Sequence, residues 1–86
     1  MFKKVIAMLA LVVSVNAFAE ASFSQVETLI EQKNFQSAEI ALEGIIKNHP
    51  ESAKAFYAMS QAQAGLGNLQ KAQYALDKAR ALDPDL

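Results

Sequence analysis

The stretch Gly67–Pro84, GNLQKAQYALDKARALDP, decides the fold. It opens on a Gly-Asn turn, runs through a helix-patterned segment and closes on Asp-Pro. An earlier stretch matches it at a fixed distance. Asn34 and Asn68, Phe35 and Leu69, Ala38 and Ala72, Leu42 and Leu76, and Pro50 and Pro84 are each 34 residues apart. Five pairs at one offset, including both prolines of the chain, mark an internal repeat, which governs any further reading of the fold.

The 34-residue period leaves room for two units in a chain of 86 residues, the size of one small domain. There is no cysteine, which excludes disulfide staples, thiolate metal ligands, a cysteine nucleophile and a lipid-modified cysteine. Residues 1–19 have the layout of a secretory signal peptide. Lys3 and Lys4 form a positive start, Val5–Val15 is an apolar run broken only by Ser14, and Ala17-Phe18-Ala19 is a small-x-small cleavage site. Ala19-Glu20-Ala21 also fits that rule, so cleavage after Ala21 is a second option. The apolar run is shorter than the roughly 20 residues that span a bilayer. The expectation is an exported protein, periplasmic or secreted, whose membrane contact is limited to the leader before cleavage. Formal charge is −1, and losing Lys3 and Lys4 with the leader takes it to −3. Nucleic-acid binding needs a basic stripe, and this charge argues against one.

After the leader the pattern is helical throughout. Ser22 with Gln25, or Ser24 with Glu27, reads as a capping box opening a first helix with apolar residues Phe23, Val26, Leu29 and Ile30. Lys33-Asn34 ends it, Asn being tolerant of the left-handed conformation and a good N-cap for the next helix. A second helix over Phe35–Lys47 carries Phe35, Ala38, Leu42 and Ile45 on one face, widened by Ile46. Glu39 and Glu43 lie on its solvated side. Gly44 either permits a close helix contact or is merely tolerated there, and the second reading is preferred. His49-Pro50 stops the helix, because the residue before proline is pushed out of the α region. A third helix starts near Glu51 or Ser52 and runs to Gly65, with Phe56, Met59, Ala62 or Gln63, and Leu66 as its stripe. A fourth spans Leu69–Leu82 with Leu69, Ala72, Leu76, Ala79 and Leu82 on one face. No strand pattern is present. The fold class is all-α: two helical hairpins stacked side by side.

These residues resemble the tetratricopeptide repeat family, an α-solenoid of helical hairpins. Ala53–Leu86 fills one unit, with Phe56 at the large aromatic position, Met59 at the following Leu position, Ser60 at the small position and Gly67 at the turn glycine. Ala72, Leu76, Ala79 and Pro84 complete it. The first unit, Ala19 to about residue 52, keeps Leu29, Ala38, Leu42 and Pro50. It departs at Ser22, Gln25, Val26 and Lys33, the last standing for the turn glycine.

Catalysis finds little support in the residues. The one histidine, His49, sits beside a helix-ending proline, and the three glycines form no phosphate loop. No cofactor, metal or small-molecule substrate is expected, and the chain is not read as an enzyme. The resemblance implies instead that the first helix of each unit lines a concave groove for a peptide or helix of a partner. By repeat position the groove residues are Phe23, Glu27, Ile30 and Glu31, with Glu20, from the first unit. From the second they are Lys54, Tyr57 and Gln61, with Ala64. Aromatics beside carboxylates would suit an apolar, basic partner segment. Phe23, Ile30 and Tyr57 have core packing as the competing role. Phe23, Glu27 and Ala58 stand where some family members clamp a C-terminal carboxylate, and do not support that specialisation.

The leading expectation is an interaction module, an adaptor or scaffold in the bacterial cell envelope. The alternative is a self-associating structural protein, or a regulatory subunit of an envelope complex. Two units are fewer than the three usually needed for a stable stack, so the flank of Leu69, Tyr74 and Leu82 is expected to seat against a second copy or another protein. Ala38 and Ala72 are small because helices cross there. Ala72→Trp is expected to destabilise the fold by about 1–3 kcal/mol through overpacking, and an unchanged melting temperature would refute that placement.

Overall fold

The structure, a computed structural model, describes residues 21–86. The expected leader, residues 1–19, and Glu20 lie outside the described residues. Four helices follow in order: α1 Phe23–Glu31, α2 Phe35–Asn48, α3 Ala53–Gly65 and α4 Leu69–Leu82. They form two hairpins, α1–α2 and α3–α4. The described residues contain no strand.

Ser22 is the N-cap of α1 and completes a capping box. Its hydroxyl accepts from the Gln25 backbone N–H at 3.3 Å, and its own backbone N–H donates to Gln25 Oε1 at 3.0 Å. This cap starts α1 late. Shifted by the repeat distance, Phe23 corresponds to Tyr57, four residues into α3, so the first helix of the first hairpin is about one turn shorter than its counterpart. Ser52, not Glu51, caps α3, accepting from the Ala55 backbone N–H at 3.1 Å.

The two hairpin turns are built alike. In the first, the Lys33 N–H donates to the Ile30 carbonyl at 2.9 Å and the Asn34 N–H to the Leu29 carbonyl at 2.8 Å. In the second, Gly67 donates to Ala64 at 3.0 Å and Asn68 to Gln63 at 2.9 Å. Both are Schellman closures, which need a left-handed residue just past the helix. Gly67 takes that role with φ 82°, and Lys33 takes it with φ 62°. Asn34 was expected to supply the left-handed conformation and an N-cap. It has φ −90° and makes no side-chain cap bond, because the two-bond closure fixes the left-handed residue one position earlier.

α3 is the centre of the stack. It packs against α1, α2 and α4, whereas α4 packs against α3 and neither of the others. The core gathers Val26, Ala38, Leu42, Ile45, Ala55, Ala58 and Ala62, with Phe23, Leu29, Ile30 and Met59 partly buried against it. Ala38 and Ala72 are both buried, as their small size requires.

The stripes expected on α3 and α4 hold at Ala62, Gln63, Ala72 and Ala79, which are buried, and need correction at their large residues. Leu66, Leu69 and Leu82 are exposed, and Phe56 and Met59 are half-buried. Ala55, Ala58 and Ala75 are buried in their stead. A helix with neighbours on several sides admits small side chains at its crossings, and a stripe drawn through large residues does not locate them. Glu39 is also half-buried rather than solvated. It accepts a hydrogen bond from the Nε2 of buried Gln63 at 2.5 Å, while Gln63 Oε1 accepts from Asn68 Nδ2 at 2.9 Å. That network ties α2, α3 and the second turn together, and no buried side-chain nitrogen or oxygen among the described residues lacks a partner.

Two helical glycines differ in what surrounds them. A Cβ on Gly44 would meet nothing within 4 Å, so the glycine is tolerated rather than required. A Cβ on Gly65 would run into the ring of Phe35, so this glycine lets α3 approach α2. Gly44→Ala should therefore stabilise the fold by about 0.5–1 kcal/mol, and Gly65→Ala should destabilise it by about 1–3 kcal/mol. Urea denaturation of the two variants checks both signs.

Candidate functional site

The residues expected to face a partner come from two helices. On α1, Phe23, Glu27, Ile30 and Glu31 recur at three- and four-residue steps and share one face, and on α3 Lys54, Tyr57 and Gln61 do the same. α1 packs directly on α3, which sets these two faces side by side. All seven side chains line one open groove of about 380 Å³, with buried Ala58 at its floor. Ala64 does not join them. It lies further along α3, in a second cavity shared with α4.

Within the groove the residues divide by burial. Phe23 and Ile30 are half-buried and pack against the core on one side. Glu27, Glu31, Lys54 and Gln61 are exposed, and Tyr57 is 43% exposed. Phe23, for which core packing and groove lining were competing roles, has its ring partly covered. Lys54 Nζ sits 4.4 Å from the centroid of its ring, a cation–π contact joining α1 to α3. Tyr57 is held from behind, since its backbone carbonyl accepts from the hydroxyl of buried Ser60. The arrangement offers an apolar floor, one phenol and two carboxylates against one ammonium group. It offers no converging set of three or more metal-ligating side chains among the described residues. His49 stands away from the groove as the C-cap of α2, its N–H donating to the Ile45 carbonyl at 2.8 Å.

A further groove of about 440 Å³ was not anticipated. It runs between α2 and α4 over α3, floored by Phe56, Met59 and Ala75 and edged by Lys47, Lys71 and Tyr74. Its one trace in the sequence is that Phe56 and Met59 belong to a helix whose buried positions are mostly alanine.

The tetratricopeptide repeat model matches residues 20–52, which include α1 and α2. The match falls on the hairpin whose own residues depart more from the family pattern. No curated protein and no solved structure matches the chain.

A double-mutant cycle between Lys54→Met and Phe23→Leu tests the contact across the groove. The expected coupling is about 0.5–1 kcal/mol in thermal or urea denaturation. Strict additivity would mean that Lys54 only covers the ring.

Proposed function

Residues 20–52 are a tetratricopeptide repeat, and from that premise we propose that the protein is a binding module whose α1–α3 groove holds a segment of a partner protein. Repeats of this family generally mediate protein–protein interaction and are non-catalytic. The observation that carries the reading is the gathering of seven expected side chains from two helices into one groove. An apolar floor beside Glu27 and Glu31 suits a partner segment with apolar anchors and basic residues. The anchors would bury surface, and the carboxylates would steer encounter and set orientation.

We also assign residues 1–19 to a cleaved leader that exports the chain to the periplasm or beyond, leaving 20–86 as the working domain with units at 19–52 and 53–86. The positive start, short apolar run and Ala17-Phe18-Ala19 support this. The cap of α1 favours cleavage after Ala19. Cleavage after Ala21 would turn the Ser22 N–H, which donates to Gln25 Oε1, into an ammonium group at a helix N-terminus, where the macrodipole opposes it. No described helix is long and apolar enough to cross a membrane.

The test is crosslinking in the native cell envelope with a photoreactive residue in place of Tyr57, read by mass spectrometry, with Lys78 on α4 as the control position outside the groove. The expected result is an adduct with a different polypeptide at Tyr57 and none at Lys78. Glu27→Lys combined with Glu31→Lys should lower its yield by about fivefold or more, and weaken its dependence on salt. Equal yields at the two positions, adducts only with the chain itself, or indifference to the charge reversals would overturn the reading.

A further inference from the structure

The internal repeat tells what each flank of the stack is shaped to meet. Inside the chain, the flank of the first hairpin that carries Val26, Ala38 and Leu42 is covered by α3, and all three residues are fully buried. A shift of 34 residues puts Ser60, Ala72 and Leu76 at the same places on the second hairpin. With Tyr57 and Leu69 they line a cavity of about 490 Å³. No described helix other than α3 and α4 lies against this flank. Leu69 is 71% exposed, where its counterpart Phe35 is half-buried.

The opposite flank carries the matching half. α3 meets the first hairpin through Met59, Ala62 and Gln63. The same shift leads to Gln25, Thr28 and Leu29 on α1, which line a cavity of about 370 Å³ together with Ala21. One flank therefore resembles the surface that α3 covers, and the other resembles the covering surface of α3. Neither cavity is lined by a charged side chain. The α1–α3 groove, lined by three charged residues, is of a different kind.

At the tightest point the two contacts differ. Where α3 meets α2, Gly65 lies against the Phe35 ring and has no room for a Cβ. The shifted pair is Glu31 and Leu69. Glu31 carries a Cβ where Gly65 has none, so the exposed Leu69 side chain must turn aside for the contact to form.

We infer that copies of this chain stack head to tail, with α1 of one copy seated on the flank formed by α3 and α4 of another, through the contact that already joins the two hairpins. Such an interface is heterologous. A pair of copies still presents one free flank of each kind, so the assembly grows as an open stack instead of closing as a dimer.

Sedimentation velocity of the purified protein over about a hundredfold concentration range should show the average mass rising past that of a dimer without a plateau. Leu69→Glu and Thr28→Arg both alter exposed positions, and circular dichroism verifies that each variant folds. Each alone should stay monomeric, because one of its flanks is blocked. An equimolar mixture should form a one-to-one pair and nothing larger, because each variant supplies the flank that the other lacks. A constant monomer, a plateau at the dimer, or a mixture that stays monomeric would overturn the inference. This inference stands apart from the groove reading at Glu27, which lines the groove and neither flank cavity: Glu27→Lys alone should lower adducts with a different polypeptide and leave the stacking unchanged.

Discussion

Three helices pack around α3, and the side chains at those crossings must be small. Ala55, Ala58 and Ala62 are almost wholly buried, and Ala72, Ala75 and Ala79 are buried on the α4 side. Helices can approach to about 8–10 Å only where their contact residues allow it. The constraint sets the spacing of α1 from α3, hence the width of the groove. It also sets the close pass of Gly65 over Phe35. The energetic consequence is a thin core, since alanine removes less apolar surface from water than the larger aliphatics do. Among the fully buried side chains the largest are Leu42 and Val26. A domain this small thus draws on capping, two Schellman turns and the Gln63 network as well as on burial.

Much of this was legible in the sequence because repeats and punctuation are local. The 34-residue spacing, the two prolines and Gly67 mark both hairpins, and Ser22 with Gln25 marks the start of α1. The α2 face was legible because that helix buries one side: Ala38, Leu42 and Ile45 are all in the core. The same reasoning held on α3 and α4 only at the small or polar positions Ala62, Gln63, Ala72 and Ala79, and failed at the large ones. On α3, burial follows the crossings rather than one stripe, and the alanines that fill them look featureless to a hydrophobic pattern. On α4, Leu69 and Leu82 lie on apolar spacing but have little packed over them. The left-handed residue of the first turn was hidden for another reason. Lysine carries no turn signal, and the closure geometry imposed φ 62° on it nonetheless.

The groove was reached through repeat position rather than through chemistry. No spacing within α1 or within α3 announces that the two helices lie together. That follows from how hairpins of the tetratricopeptide repeat family stack, and in the structure the seven residues line one cavity. What repeat position could not supply was the relation between side chains across the groove. Lys54 and Phe23 are distant in sequence, and their contact depends on the stacking geometry. It removes the Phe23 ring face from the surface offered to a partner and places a cation among the carboxylates. The Glu39–Gln63 bond was illegible on the same ground, since it turns a glutamate on an apparently solvated face into a strut between helices.

Core packing and site lining, posed as competing roles for Phe23 and Ile30, are two sides of the same residues. Each is half-buried, touching the core with one side and the groove with the other. A substitution at either position changes the support of α1 as well as the surface it presents, so a loss of binding there would carry little information about contact. Glu27, Glu31 and Gln61 are different. They are exposed, and none belongs to the core or to its partly buried margin. Charge and hydrogen-bonding capacity at these three can change with little effect on the packing of α3. The division follows from helical period: the residues next to the inward stripe share in the core, and those a further step around the helix are left to solvent or to a partner. In a domain with so little apolar volume to spare, recognition can be altered independently of stability along that outer edge of α1 and α3.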